Sequence, residues 1–440
     1  MLHLQSHIFL KNDFKDPGFG RLEGMVKLKQ AMAHGIRAHE SGRFELARSV
    51  FEAIVREAPN HPVSASAWAK LAQLHTKQER RSEAAHCAFQ SLMIDPGHPV
   101  ANVISARCSA QSGDVRMALR QLNAVAPERW DSGLLFERAR LLDCLGKHAE
   151  SHAEFVRANQ WRTNEYPGAS RDRLLRLITD TRTRFTQDWV DGWYDVSPSE
   201  RQVPLFLVGF SRSGLGLIDP IIAAHPGAEV LCGVMALNAA RRVLGGRYPQ
   251  GLSNLDEPSI DRARNAYFRV LDDHISPDFR GLVIDVLPFN SILLGLLYRL
   301  FPEARVVHTV RHPADVVLSN FMHPYESNDV TIHFDSIEST AHLYADVMGL
   351  TQHFQAILPM QFLELRYENL VYDFESERRR LLRYAGLMNP SGLPEASAYA
   401  AEAEKVTATA SVGRWQHYAD VLEPIWEHLT PYVRAHGYTD

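Results

Sequence analysis

The 440-residue chain has little cysteine. Its four residues, Cys87, Cys108, Cys144 and Cys232, are scattered. They share neither disulfide nor metal spacing, which points to a reducing cytoplasm. The 21 histidines form no H-E-x-x-H or comparable ligand pair, so no metal is expected. No apolar run approaches the roughly 20 residues of a membrane span. The N-terminus lacks the charged start, apolar core and small-residue cleavage site of a secretory signal. Positive charge is also short: 47 Lys and Arg against 52 Asp and Glu give a formal net charge of −5, which argues against general nucleic-acid binding. Two nucleotide signatures are missing. There is no G-x-x-x-x-G-K-[ST], and Gly209, Gly214 and Gly216 have the wrong spacing for G-x-G-x-x-G. Without a loop lysine or a metal-binding acidic motif, a kinase-like phosphate transferase is disfavoured.

What remains has the composition of a globular protein, 45% hydrophobic and 22% charged, and is long enough for two or three domains. Residues 1–26 carry no clear period and read as a loose arm. Residues 27–165 read as helical and repetitive. Gly42, Phe44, Ala47, Phe51 and Ala58-Pro59 make one unit. Trp68, Leu71, Leu74, Ala84, Ala85, Ala88 and Asp95-Pro96 make the next. Gly113, Ala118, Leu119 and Ala126-Pro127 follow, then Leu145-Gly146, Ala149, Ala153, Phe155 and Ala158. A small residue ends one helix of a unit, alanines let the second pack closely, and in the first three units a proline stops it. The period resembles the roughly 34 residues of a tetratricopeptide (TPR) repeat, so an α-solenoid with a concave face for a protein or peptide is expected. An irregular helical bundle is the other reading.

Residues 166–202 read as a helical linker, with helical pieces at 174–185 and 189–194. From 203 to 440 strand and helix alternate, which predicts a three-layer α/β domain with a parallel sheet. Strands are expected at 205–208, 229–232, 282–285, 305–310 and 362–365. Helical text fills 241–275, 292–301, 375–384 and 419–436.

The stretch Leu205-Phe-Leu-Val-Gly-Phe-Ser-Arg-Ser-Gly-Leu-Gly-Leu217 organises this domain. A buried strand breaks at Gly209, a small basic turn follows, and apolar residues then recur at helical spacing. Strand, glycine-containing turn and helix start together can hold a phosphate: backbone N–H groups point at the anion and Arg212 adds charge. Taken alone, the stretch is equally an ordinary βα turn with one exposed arginine.

Three further stretches agree with it. Val208–Gly214 resembles the 5′-phosphosulfate loop of sulfotransferases, written G-x-P-R-S-G-T-T. Val307–Asp315, with Ser319, resembles their 3′-phosphate site. Leu365–Leu370 resembles the strand and loop that follow, and Ser411-Val-Gly-Arg-Trp415 resembles the C-terminal cofactor clasp. The resemblance covers about Val203–Tyr438, and repeat-bearing bacterial members of the family resemble protein-tyrosine sulfotransferases. It implies a P-loop-like fold binding 3′-phosphoadenosine 5′-phosphosulfate (PAPS), with no metal. Arg212, Ser213, Gly214, Leu215 and Gly216 would face the 5′ end, Arg311 and Ser319 the 3′-phosphate, and Ser411 and Arg414 the clasp. Tyr367 is either an adenine contact or a packing residue.

The chain departs from the family on chemistry. Leu215 and Gly216 stand where two threonines are expected. Cys232-Gly-Val-Met-Ala236 has no carboxylate where a glutamate base is expected, and Val286 stands in place of a lysine. Sulfuryl transfer needs an acceptor base and a cation near the leaving oxygen. Two readings follow. Either Asp285 or His312 acts as base and Arg212 carries the leaving-group charge, or the domain is a degenerate transferase that binds nucleotide, peptide or partner without turnover. The acceptor and the oligomeric state are left open.

Overall fold

The computed structural model describes residues 20–165, 168–245, 248–387 and 409–439. The chain divides into two compact units, Met1–Glu165 and Tyr166–Asp440.

In the first unit the described residues form helices in pairs: Gly20–Glu40 with Phe44–Glu57, Pro62–Lys77 with Arg81–Ile94, Pro99–Gln111 with Val115–Asn123, and Ser132–Cys144 with His148–Glu165. The first helix starts at Gly20, inside the segment read from sequence as an arm; residues 1–19 lie outside the described residues. Each pair turns through a left-handed residue: Gly42, Glu79, Gly113 and Gly146, with φ of 75°, 58°, 92° and 72°. The next residue donates its amide back across the turn. Arg43 reaches the Ala38 carbonyl, Arg80 reaches His75, Asp114 reaches Ser109 and Lys147 reaches Leu142, all at 2.9–3.0 Å. This six-residue closure satisfies carbonyls at the helix end and favours glycine. The second pair closes the same way with Glu79, so the expected small residue is not universal. Ala47, Ala67, Ala88, Ala101, Ala118, Ala139 and Ala158 are fully buried, and their small side chains allow the helices to approach.

Among the described residues the second unit is built on five parallel strands: β1 (Leu205–Gly209), β2 (Ala228–Cys232), β3 (Leu282–Val286), β4 (Arg305–Val310) and β5 (Gln361–Arg366). Their order is β2-β3-β1-β4-β5. From β1 the chain runs to the edge strand β2, returns inward through β3, then crosses to β4 and β5 on the other side of β1. The C-terminal end of β1 is therefore a switch point, where open α/β sheets leave a crevice. Alternation along β1 sorts the layers. Leu205 and Leu207 pack with Leu215, Ile218 and Ile222 of helix Leu215–Ala223. Phe206 faces the other way, its ring 5.9 Å from that of Tyr267 in helix Glu257–Asp272.

Three segments differ from the sequence reading. The helical text at 241–275 resolves into Ala236–Val243, a 3-10 turn Gln250–Asn254 and Glu257–Asp272; Gly246 lies outside the described residues. The closing helix is broken into Ala419–Leu422, Glu423–Ile425 and Trp426–Ala435. Pro424 sits at the break and offers no amide to continue the ladder. The linker at 166–202 belongs to the second unit, with helices Arg171–Arg184 and Gln187–Asp191. The fully buried Phe185 anchors it. Its ring meets Trp189, Trp193 and Phe354 at 4.9, 5.8 and 5.1 Å. It also lies flat on Gly295, where an added Cβ would come within 2.2 Å of the ring. Among the described residues no helix is long and apolar enough to cross a membrane.

Replacing Phe185 with Ala removes the anchor of this segment. A loss of about 3–5 kcal/mol is expected for the second unit, read as a lower denaturant midpoint with the transition of the first unit unmoved.

Candidate functional site

β1 ends at Gly209 because nothing larger fits. A Cβ there would stand 2.5 Å from Thr309 Oγ1 and 2.7 Å from Ser213 Oγ. The turn that follows is fixed on several sides. Phe210 is fully buried among Phe289, Phe334 and Tyr344, with ring centroids 5.3, 5.9 and 5.2 Å away. Ser211 Oγ lies 2.9 Å from Tyr325 Oη, which donates to Asn320 Oδ1 at 2.8 Å; Asn320 Nδ2 donates to the Ser211 carbonyl at 2.8 Å. Ser213 Oγ donates to the Phe210 carbonyl at 2.7 Å and lies 2.6 Å from Thr309 Oγ1. Arg212 takes a left-handed φ of 67°, sparse territory for a residue with a Cβ. Its side chain is exposed, and Nε donates to Ser319 Oγ at 3.1 Å. Gly214, at φ 117°, caps helix Leu215–Ala223 and lies against Tyr367: a Cβ there would meet the ring at 2.8 Å. A short, braced turn thus presents backbone amides and one arginine at a helix start.

Arg311 ties the remaining stretches to that turn. It is 5% exposed. Nη1 donates to the Arg212 carbonyl at 3.4 Å and Nη2 to the Ser411 carbonyl at 2.5 Å. The guanidinium lies over the Tyr367 ring at 4.4 Å and 3.6 Å from Asp315 Oδ2. Asp315, 1% exposed, accepts the Gly413 amide on Oδ2 at 2.8 Å and the Trp415 amide on Oδ1 at 2.9 Å. Tyr367 Oη and Ser411 Oγ are 2.7 Å apart. Arg414, half-buried, sits between the two amides held by Asp315. The structure therefore brings Arg212, Ser213, Gly214, Arg311, Ser319, Tyr367, Ser411 and Arg414 to one edge. Leu215 turns into the core, and Gly216 is exposed with open space before it. Neither carries a hydroxyl.

The two base candidates are placed differently. Asp285 is fully buried; Tyr267 Oη donates to its Oδ2 at 2.9 Å and Asn290 Nδ2 to Oδ1 at 3.3 Å. No surface leads an acceptor hydroxyl to it. His312 is 7% exposed and stacked on Trp415 at 4.8 Å and 7°, with the Tyr438 ring edge-on at 5.1 Å. Burial lowers its imidazole below the usual range. It is a wall of the clasp. Burial counts against either as acceptor base.

Sequence reasoning missed the helix Ile337–Ile357, which supplies Tyr344 against Phe210. It is buried on several sides, so no single apolar stripe marks it. Sequence reasoning also missed Asp219. This residue follows the turn by one helical step, and its Oδ2 accepts the Cys232 thiol proton at 3.2 Å. A 660 Å³ cleft lined by Val190, Trp193, Tyr194 and Tyr298 reaches Pro302 and Pro359, just before β4 and β5, toward the N-terminal ends of the strands. Among the described residues no three His, Cys, Asp or Glu side chains cluster closely enough to hold a metal ion.

Comparison with known proteins finds a family model and several relatives. Residues 204–390 match the model of the sulfotransferase family. An uncharacterized protein of Aquifex aeolicus is 24% identical over 398 residues, 86% of this chain and 52% of that protein. Omega-hydroxy-beta-dihydromenaquinone-9 sulfotransferase Stf3 of Mycobacterium bovis is 33% identical over 116 residues, 24% of this chain and 29% of Stf3. The chain thus spans about half the length of the first relative and under a third of the second. The sulfotransferase structure from Alicyclobacillus acidocaldarius is 18% identical with a TM-score of 0.32, covering 49% of this chain and 95% of its own. Residues 204–390 of the second unit are thus similar to a sulfotransferase family domain.

Burial pushes the Asp285 carboxyl up to about 7, against a smaller lowering by Tyr267. The folded protein therefore holds a proton that the unfolded chain has already lost above its ordinary value of 3.8. Stability should fall as pH rises through that window, by a few kcal/mol at most. Urea midpoints at either end of the window should differ less for D285N than for the wild type.

Proposed function

We propose that the second unit transfers a sulfuryl group from PAPS to a hydroxyl acceptor, and that the helix pairs of the first unit are TPR-like repeats that hold a protein or peptide, the acceptor or its carrier. One observation carries the reading. Four stretches far apart in sequence meet at the buried Arg311, which touches the Arg212 carbonyl, the Ser411 carbonyl and the Tyr367 ring.

The residues fit a donor with two anionic ends. Arg311 Nε is buried without a hydrogen-bond partner among the described residues. A cation enclosed this way, against the Arg212 turn and the Ser411 segment, suits a phosphate arriving from outside. The narrow space between Gly214 and Tyr367 lets backbone amides approach the other end. The donor supplies the activated sulfur–oxygen bond. Arg212, exposed and hydrogen-bonded to Ser319, is the cation free to turn toward charge on the leaving oxygen. Without threonines at Leu215 and Gly216, amide groups and Arg212 hold that oxygen. Stf3 is named for a hydroxylated acceptor, which favours a hydroxyl over an amine here. Tyrosine is one such hydroxyl. The turns repeated at Gly42, Glu79, Gly113 and Gly146 support the repeat reading.

Calorimetric titration with 3′-phosphoadenosine 5′-phosphate tests the reading. Wild type should bind, R212A about 10- to 100-fold more weakly, the range for losing a hydrogen bond to a charged group, and R311A not measurably. Absence of binding in the wild type would sink the proposal. With binding in hand, labelled donor and tyrosyl peptides should yield a sulfated product.

A further inference from the structure

The position where a carboxylate is missing is not far from one. β2 ends at Cys232, and the following Gly233 amide donates to the Val286 carbonyl at the end of β3, 2.9 Å away. These are the two places where the resemblance expected a base and a lysine. Cys232, Gly233 and Met235 are exposed there, so an acceptor can approach. The Cys232 thiol points to Asp219 on helix Leu215–Ala223, the helix that Gly214 caps. The carboxylate absent from the loop after β2 is thus present beside it, delivered from the phosphate-loop helix.

Other acids near these strand ends are occupied. Asp285 is sealed under Tyr267 and Asn290. Asp315 holds the Gly413 and Trp415 amides. Glu368 accepts the His312 amide and the Tyr438 hydroxyl. Asp219 differs from all three. Its Oδ2 has a single weak thiol donor, and its Oδ1 is buried with no hydrogen-bond partner among the described residues. A carboxylate this poorly satisfied retains lone pairs for a proton.

We infer that Asp219 is the general base that takes the proton from the acceptor hydroxyl, with Cys232 as the thiol lid that the acceptor displaces. This rests on the transferase reading above. In the step, the acceptor oxygen forms its bond to sulfur while its proton passes to an Asp219 carboxylate oxygen. The bond between sulfur and the oxygen of the donor's 5′-phosphate breaks, and its electron pair leaves on that oxygen. The products are the sulfate ester, 3′-phosphoadenosine 5′-phosphate and protonated Asp219, which returns its proton to water. Burial raises the Asp219 carboxyl above its usual range, which makes it a stronger base; Cys232 is the titratable group that faces it. Reciprocally, partial desolvation of the sulfur, in a residue that is exposed as a whole, and the Asp219 charge push the Cys232 thiol up to about 12, so the thiol stays protonated.

Three readouts on D219N and D219E test the inference. Affinity of D219N for 3′-phosphoadenosine 5′-phosphate should stay within about twofold of wild type, showing an intact fold and anion site. Transfer to hydroxyl acceptors should fall about 10²- to 10⁴-fold, the usual worth of a positioned base, with partial recovery in D219E. Alkylation of Cys232 by iodoacetamide should accelerate in D219N, because the charge that adds to desolvation in holding the thiol protonated is gone. D219N turning over at the wild-type rate, or an unchanged alkylation rate, overturns the inference while leaving the transferase reading standing. Wild type that binds nucleotide but transfers to no acceptor overturns both.

Discussion

The buried pair of Arg311 and Asp315 is the constraint on which the edge of the second unit depends. Both charges lie out of water, 5% and 1% exposed. Desolvating two ions costs several kcal/mol each, and an attraction at 3.6 Å offsets that only if the remaining donors and acceptors are satisfied. Here most of them are satisfied by segments distant in sequence, and Arg311 Nε is the donor left open among the described residues. Arg311 is met by carbonyls of Arg212 and Ser411, and Asp315 by amides of Gly413 and Trp415. The pair therefore stands only when the turn at 209–214 and the segment at 411–415 are both in place. Assembly of the site and burial of the pair are one event, and removing either charge would leave the other stranded.

That coupling explains how a turn without the family's proline stays rigid. Proline would fix one φ. Here three side chains do the same work by packing and hydrogen bonding. Phe210 is clamped by three rings, Ser211 is fixed through Tyr325 and Asn320, and Ser213 locks to Thr309 on the neighbouring strand. The strained φ of Arg212 is the cost of that clamping. It is held because its carbonyl is needed by Arg311.

Most of the frame was legible because each part has a local cause. Apolar runs at 205–208 and 305–310 mark buried strands, and the glycine turn at 209–214 marks a close backbone approach. The cluster at Arg311 was legible only through resemblance, since nothing local says that residues 212, 319, 367 and 411 meet. Three features resisted for physical reasons. The helix Ile337–Ile357 is buried on more than one side and shows no clean stripe. The segment at 166–202 is polar along most of its length, and its allegiance is decided by one aromatic, Phe185, against a glycine far away in sequence. Asp219 reads as a helix-surface acid until the end of β2 is placed beside it.

The acids of this edge show how environment, not residue type, assigns roles. Asp285 is sealed and pushed toward the neutral acid, so it acts as a hydrogen-bonded strut between β3 and the Tyr267 helix. Asp315 is equally buried, but its two amide donors and Arg311 oppose the upward push of burial and keep it an anchor. Glu368 is fixed by two donors of the clasp. Environments that push carboxyl groups apart divide labour among them. The group left with unmet acceptor capacity stands at the strand ends, where an incoming hydroxyl has a proton to lose. A carboxylate base need not come from the loop after β2. It must only reach the same point in space, and a helix starting at the phosphate turn passes that point one step in.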